Sequence, residues 1–166
     1  LMDPHEIAAA FEQLKKEGKV RFFGVSNFTP SQVDMLASFT RLVNNQVEIS
    51  ILKWNAFTDG TIDKCWQHGL IPTAWSPFAG GHLFSKPDDL RYARIRKTAK
   101  EIAEKYNAPL EQIYLAFLMK HPIGIVPVVG TSKTERLRSA LKAVEINLTY
   151  EEWYRLRLAS AGAEVA

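Results

Sequence analysis

Two hydrophobic spacings alternate along this chain. In 3–19, DPHEIAAAFEQLKKEGK, the apolar residues Ile7, Phe11 and Leu14 recur at helical intervals and share one face. Asp3 is placed to cap that helix, Pro4 suits its first position, and Gly18 follows its last apolar residues. The next run, VRFFGVS (20–26), is short and rich in β-branched and aromatic residues, which predicts a strand. TPSQVDMLASF (29–39) then offers Thr29 as cap and Pro30 at the first helical position.

The unit recurs. LVNNQVEIS (42–50) predicts a strand and TDGTIDKCWQHG (58–69) a helix closed by Gly69. LIPTAWSP (70–77) predicts a third strand, followed by the long loop FAGGHLFSKP. Two helices follow, about 89–106 and 109–120, the second opened by Pro109. IGIVPVVGT (123–131) predicts the last strand, SKTERLRSALKAVE (132–145) its helix, and TYEEWYRLRLAS (149–160) a closing amphipathic helix. Four strands alternating with helices imply parallel pairing through right-handed crossovers. No linker divides them, so residues 1–166 are expected to form a single domain. The periodicity fits a small open doubly wound sheet and half of a (β/α)8 barrel equally well. A whole barrel needs about 250 residues.

Each predicted strand stops at a small hydroxyl residue: Ser26, Ser50, Ser76 and Thr131. Parallel α/β folds bind ligands outside the carboxyl ends of their strands. Four short donor–acceptor side chains in register would line such a mouth.

Composition changes this picture little. The net charge is +3 with both signs dispersed, so no polyanionic partner is indicated. RYARIRK (91–97), the densest basic stretch, reads as a solvated helix face rather than a nucleic-acid surface. No apolar run approaches the ~20 residues of a membrane span, and no leader pattern opens the chain. Cys65 is the single cysteine, which excludes an internal disulfide framework and fits a reducing cytosol. The chain begins at Leu1 without an initiator methionine, and is expected to be a piece of a longer one. No metal-ligand pattern occurs.

GKVRFFGVSNFTPSQV, then NNQVEIS, AWSPFAGGHLF and VPVVGTSKTERL, stand in an order and spacing that resemble the second half of an aldo-keto reductase. The tryptophan of AWSP is similar to a bacterial oxidoreductase subgroup. The resemblance implies an α/β fold, the C-terminal half of a (β/α)8 TIM barrel: strands five to eight with their helices and the closing C-terminal helix. It implies NADPH as cofactor and a small carbonyl substrate, an aldehyde or ketone reduced to an alcohol in the cytoplasm. The missing N-terminal half of the barrel would be its partner. Carried over by position, Ser26 and Asn27 with Gln46 would hold the nicotinamide carboxamide. That group offers one acceptor and two donors, which hydroxyl and amide side chains can match. Trp75 would stack on the nicotinamide ring. Ser76, with Gly80 and Gly81, would wrap the pyrophosphate. Gly130, Thr131 and Ser132 precede a helix whose free N–H groups suit an anion, and Lys133 and Arg136 would pair with the 2′-phosphate. Ser139-Ala140 departs from a Glu-Asn pair that contacts adenine in many relatives. The acid–base set belongs to the first half of the barrel, and no catalytic residue is assigned here. His5, His68, His82 and His121 match no catalytic position, and the tyrosines fall in or beside helices. The alternative is a non-catalytic half-barrel that binds a nucleotide or a protein partner.

Overall fold

The chain is described by a computed structural model covering residues 2–85 and 89–163. Leu1, the Lys86-Pro87 end of the FAGGHLFSKP loop and the last three residues lie outside the described set. The helix starts follow from their caps. Asp3 accepts from the N–H groups of His5 and Glu6 at the head of α1 (Pro4–Lys16). Thr29 and Gln32 form a capping box at α2 (Pro30–Ala37), as Thr149 and Glu152 do at α8 (Tyr150–Ala161). α3 (Thr61–His68) ends on Gly69 in the left-handed conformation, which satisfies its last carbonyls. α5 spans Leu90–Tyr106 and α6 Leu110–Met119. Pro109 stands at the N-cap position of α6, with no side-chain capping bond, rather than in its first turn.

The strands are shorter than their apolar runs. β1 is Val25–Ser26, β2 Asn44–Glu48, β3 Ile71–Trp75 and β4 Val126–Pro127. β4 loses length because Gly124 takes a left-handed turn and Pro127 has no N–H to donate. The strands form one parallel sheet in the order β1-β2-β3-β4. Sequence neighbours are therefore sheet neighbours throughout. A doubly wound sheet reverses its order at a switch point. These four strands do not, and the order is that of consecutive barrel strands.

By its internal contacts the chain divides into two compact units, one reaching to Val47 and resuming over Asn55–Thr73, the other Glu48–Trp54 and everything from Ala74 on. In the first unit β1 pairs with β2, Val25 opposite Asn45 and Ser26 opposite Gln46. Val33, Leu36, Val47, Ile62 and Cys65 are buried there. Burial pushes the Cys65 thiol up to about 11, so it is an inert apolar side chain, as expected. Asp34 joins α2 to α3 by accepting from Lys64 Nζ at 2.8 Å and His68 Nε2 at 2.7 Å. Those two hydrogen bonds hold its carboxyl below the ordinary value.

In the second unit α6 is buried at seven successive residues, Gln112–Leu118, which marks a helix enclosed on all sides. Phe117 stacks on Trp153 at 5.0 Å, and Trp153 Nε1 donates to the Phe117 carbonyl. α8 packs along α5, fastened where Glu152 accepts from Lys105 Nζ, Tyr106 Oη and the Thr149 N–H. α7 (Thr134–Leu141) gives way to a 3-10 turn at Lys142–Glu145, so the helix predicted over 132–145 is two pieces. The predicted loop after β3 contains a 3-10 turn at Ala79–Gly81 and the short helix α4 (His82–Ser85). Among the described residues no helix is long and apolar enough to cross a membrane.

Candidate functional site

In the first unit, the end of β1 and the middle of β2 meet at one carbonyl. Ser26 Oγ donates to the Gln46 main-chain oxygen at 3.1 Å, and the Asn27 N–H donates to the same oxygen at 2.9 Å. Asn27 turns into the left-handed region, φ 56°, so the chain leaves the strand sharply there. Ser26 and Asn27 are exposed and Gln46 is half-buried. Among the described residues the Gln46 side-chain amide has no hydrogen-bond partner, which leaves its two donors and one acceptor for a ligand.

Two neighbours of Gln46 build this corner, and the sequence reading did not single them out. Asn45 is fully buried; its amide donates to the Phe28 carbonyl at 3.0 Å, and its oxygen accepts from the Phe28 N–H at 3.4 Å. That pair fixes the turn just past Asn27. Asn44 Nδ2 donates to Thr73 Oγ1 at 2.7 Å, bridging β2 to β3. Gly24 lets the strands close: a Cβ there would stand 2.0 Å from Asn44 Oδ1 and 3.0 Å from the Asn44 carbonyl. The signal available in sequence was the run Asn44-Asn45-Gln46, three amides in a strand.

In the second unit, Trp75 ends β3 half-buried, and Ser76 turns left-handed at φ 54°. Ser76 Oγ accepts from the Gly80 N–H at 2.9 Å, closing a loop that passes through Ala79 at φ 51°, Gly80 at 65° and Gly81 at 84°. Among the described residues, apart from each glycine's own chain neighbours, no heavy atom lies within 4 Å of where a Cβ on either would be; the backbone conformation, rather than crowding, demands glycine. Four described non-glycine residues have positive φ: Asn27, Ser76, Ala79 and Asn107. Asn107 is a helix cap. The other three fall in segments expected to hold the dinucleotide, and such conformations concentrate at ligand sites.

After β4, Thr131 Oγ1 accepts from the Lys133 N–H at 3.2 Å. α7 then starts at Thr134 with no side-chain cap, so its first N–H groups are not spent on one. Gly130, Ser132, Lys133 and Arg136 are exposed there. Ser139 is committed elsewhere: Gln112 Nε2 donates to its carbonyl and hydroxyl, and its hydroxyl donates to Glu111. It ties α7 to α6.

Ser50 corrects the expectation of four strand-end hydroxyls in register. β2 stops at Glu48, and Ser50 is fully buried in the turn beyond. Its Oγ accepts from the N–H groups of Leu52 and Lys53. No mouth is lined by it. Ser76 and Thr131 each serve a local turn and Ser26 bonds across to β2, and all three keep further hydrogen-bonding capacity.

Three of the histidines have local partners. His5 packs edge-on against Phe39, His68 bonds Asp34, and His121 Nδ1 accepts from the Ile123 N–H. Tyr106 donates to Glu152 and the Asn147 carbonyl; Tyr150 and Tyr154 are exposed on α8. Among the described residues no group of three metal-ligating side chains comes together. Clefts of about 410 Å³ beside His68 and 490 Å³ between α5 and α8 include none of the predicted ligand residues.

The model of the Aldo/keto reductase family matches residues 2–160. Oxidoreductase YdhF of Escherichia coli is 42% identical over 99% of this chain and 55% of its own length. A Saccharomyces cerevisiae protein named NADPH-dependent alpha-keto amide reductase is 32% identical over 85% of this chain and 44% of its own. Among solved structures, the thermostable aldo-keto reductase Tm1743, crystallised with the inhibitor epalrestat, superposes with a TM-score of 0.83 at 29% identity. That match covers 95% of this chain and 55% of the other. The chain spans about half the length of the curated relatives it matches.

Proposed function

The chain belongs to the aldo/keto reductase family, and from that premise we propose that it supplies the dinucleotide-binding half of an NADPH-dependent carbonyl reductase. The observation that carries this reading is the corner at Gln46: one carbonyl gathers Ser26 Oγ and the Asn27 N–H, beside a glutamine amide with no partner among the described residues. Ser26, Asn27 and Gln46 would orient a carboxamide, and so select which face of the nicotinamide ring is presented. Trp75 would cover that ring and keep water away. Ser76, Gly80 and Gly81 would wrap the pyrophosphate in a loop already bent for close approach, held in shape because Ser76 Oγ and the Phe78 carbonyl accept from the two glycine N–H groups. The start of α7, with Gly130, Thr131, Ser132, Lys133 and Arg136, would take the 2′-phosphate through its N–H groups and two cations.

When bound, the dinucleotide supplies the hydride; the protein's part here is to bind, orient and exclude water. The substrate would be an aldehyde or ketone. We assign no acid–base residue to this chain, because the family resemblance puts that set in the first half of the barrel. The 166-residue chain alone is expected to reduce no test aldehyde. Rates near those of a full-length relative would refute that assignment.

Nicotinamide fluorescence tests the binding. NADPH should bind, and Gln46→Ala should weaken NADPH and NADH alike by roughly tenfold, the effect of about one good hydrogen bond. Arg136→Ala should weaken NADPH only. Equal losses for both dinucleotides overturn the phosphate assignment, and an indifferent Gln46→Ala overturns the carboxamide assignment.

A further inference from the structure

Phe84 stays 47% exposed on α4, a helix of four residues, yet its ring has two aromatic neighbours. It lies 5.8 Å from the Tyr114 ring and 5.5 Å from the Phe78 ring, tilted by 60° to each. Those separations fall in the range where aromatic pairs attract. Tyr114 belongs to the enclosed helix α6 and is 1% exposed. Phe78 belongs to the loop that leaves β3. Phe84 therefore joins the start of that loop to its end, and both to α6, entirely within the second unit.

The loop needs such a tie. Among the described residues its hydrogen bonds close within itself. The Ala79 N–H donates to the Ser76 carbonyl, the Gly80 N–H to Ser76 Oγ, the Gly81 N–H to the Phe78 carbonyl, and Ser85 Oγ to the Gly81 carbonyl. Those bonds give the loop a shape but no fixed place. Place comes from side chains that reach inward: Pro77 and Leu83 are buried, and Phe84 adds the contact with α6. We propose that Phe84, seated on Tyr114, is a positioning residue for the dinucleotide. It sets where the bend from Ser76 to Gly81 stands, and so whether that bend can close on a pyrophosphate. The idea rests on the pyrophosphate role proposed for Ser76, Gly80 and Gly81. The tie acts through the rings and not the phenol, since the Tyr114 hydroxyl has no hydrogen-bond partner among the described residues. Apparent affinity then falls with the fraction of chains whose loop stands in place.

The test compares Phe84→Ala, Phe84→Tyr and Tyr114→Phe with Glu152→Gln. That control weakens the bonds to Lys105 and Tyr106 and touches no residue of the loop. Amide exchange is read at Gly80 and Gly81. Binding of NADPH and NADH is read by fluorescence, and binding of 2′-phospho-ADP-ribose, which keeps the pyrophosphate and lacks the nicotinamide, by displacement of NADPH. Phe84→Ala should speed both amides and weaken all three ligands alike, by roughly tenfold. Phe84→Tyr and Tyr114→Phe keep both rings and should stay within about twofold of the parent. Glu152→Gln should lower the urea midpoint while leaving exchange and affinity within about twofold. Unchanged exchange at Gly80 and Gly81 in Phe84→Ala overturns the tie. Faster exchange with unchanged affinity overturns its part in binding, as does a loss that spares 2′-phospho-ADP-ribose or one that Glu152→Gln reproduces. If the parent chain binds none of the three, the pyrophosphate role of the loop fails and the positioning role with it, while the exchange data still decide whether Phe84 holds the loop.

Discussion

Gly24→Ala is the sharpest perturbation of the Gln46 corner. Gly24 has no positive φ, so an argument from the unfolded chain alone predicts that alanine stabilises by ~0.4–1 kcal/mol. The packing predicts the opposite. The new Cβ would stand 2.0 Å from Asn44 Oδ1, 2.9 Å from Asn44 Cγ and 3.0 Å from the Asn44 carbonyl oxygen, against ordinary separations of about 3.5 Å. The amide can swing aside only by giving up its 2.7 Å bond to Thr73, a loss of ~1 kcal/mol. The carbonyl belongs to β2 and can move only with the strand, and overpacking of this kind costs about 1–3 kcal/mol. Setting these against the unfolded-state gain leaves a net loss of roughly 2 kcal/mol. Urea unfolding measures it directly. Asn44→Ala in the same chain separates the parts, because it removes the side-chain clash and leaves the carbonyl contact. Gly24→Ala should therefore cost about 1 kcal/mol less in that background. NADPH affinity should fall in the single variant, since Ser26 and Gln46 lie at the disturbed pairing. A Gly24→Ala chain as stable as its parent would show that this close approach does not constrain the β1–β2 pair.

Three further outcomes are expected. Glu152→Gln should lose about 1 kcal/mol at pH 7, less than a fully buried charged pair because Lys105 is half in solvent. Burial alone would raise the Glu152 carboxyl, but hydrogen bonds from Lys105, the Thr149 N–H and Tyr106 outweigh it and hold it at about 2 against an ordinary 4.5. Its stabilisation is then complete above about pH 4.5 and lost as pH falls toward 2; the gap between parent and variant should narrow over that window, and a constant gap refutes the pairing. Tyr114→Phe should be as stable as the parent or more so in thermal unfolding, because among the described residues the buried Tyr114 hydroxyl has no hydrogen-bond partner and burial pushes it up to about 12. Asn45→Ala strands the Phe28 N–H and carbonyl, and should lose roughly 2–3 kcal/mol in urea together with most NADPH affinity; retention of both excludes it as the holder of the turn.

What was legible in the sequence were features written in one or two residues. Asp3 and Thr29 cap helices because a short side-chain oxygen before an apolar periodicity has one good use. Gly69 and Gly18 likewise close what they follow. Strand lengths were not legible, since Phe22 and Val126 are apolar yet largely exposed, and an apolar run says nothing of where hydrogen bonding stops. Ser50 failed for the same reason: its place depends on β2 ending two residues earlier. Arg91 was hidden differently. It lies on an exposed helix face, as 91–97 was expected to, yet it donates to carbonyls 39 and 69 residues away, a reach that no local charge pattern records.

The strand-end hydroxyls show how far a pattern of residue types can carry. Ser26, Ser76 and Thr131 each bond the main chain, Ser26 across to β2 and the other two within their own turns, so local structure accounts for a small hydroxyl at all three places. A hydroxyl that donates one bond retains its lone pairs, and one that accepts retains its proton; shaping the turn and meeting a ligand are therefore compatible uses of one group. What separates the two uses is the backbone. A turn alone would be satisfied by Gly at φ > 0, yet asparagine, serine and alanine hold that conformation at positions 27, 76 and 79, against a steric cost of order 1 kcal/mol or more each. That cost lies in dihedral angles that no alphabet of residue types records. Ser76 has a local use beside it, since its Oγ accepts from the Gly80 N–H. Ala79, which carries no polar atom, is the place where that reasoning can be broken: Ala79→Gly should stabilise the chain by relieving strain while leaving NADPH affinity within about twofold, and a large loss of affinity there would mean that the loop's rigidity, rather than its side chains, is what the ligand requires.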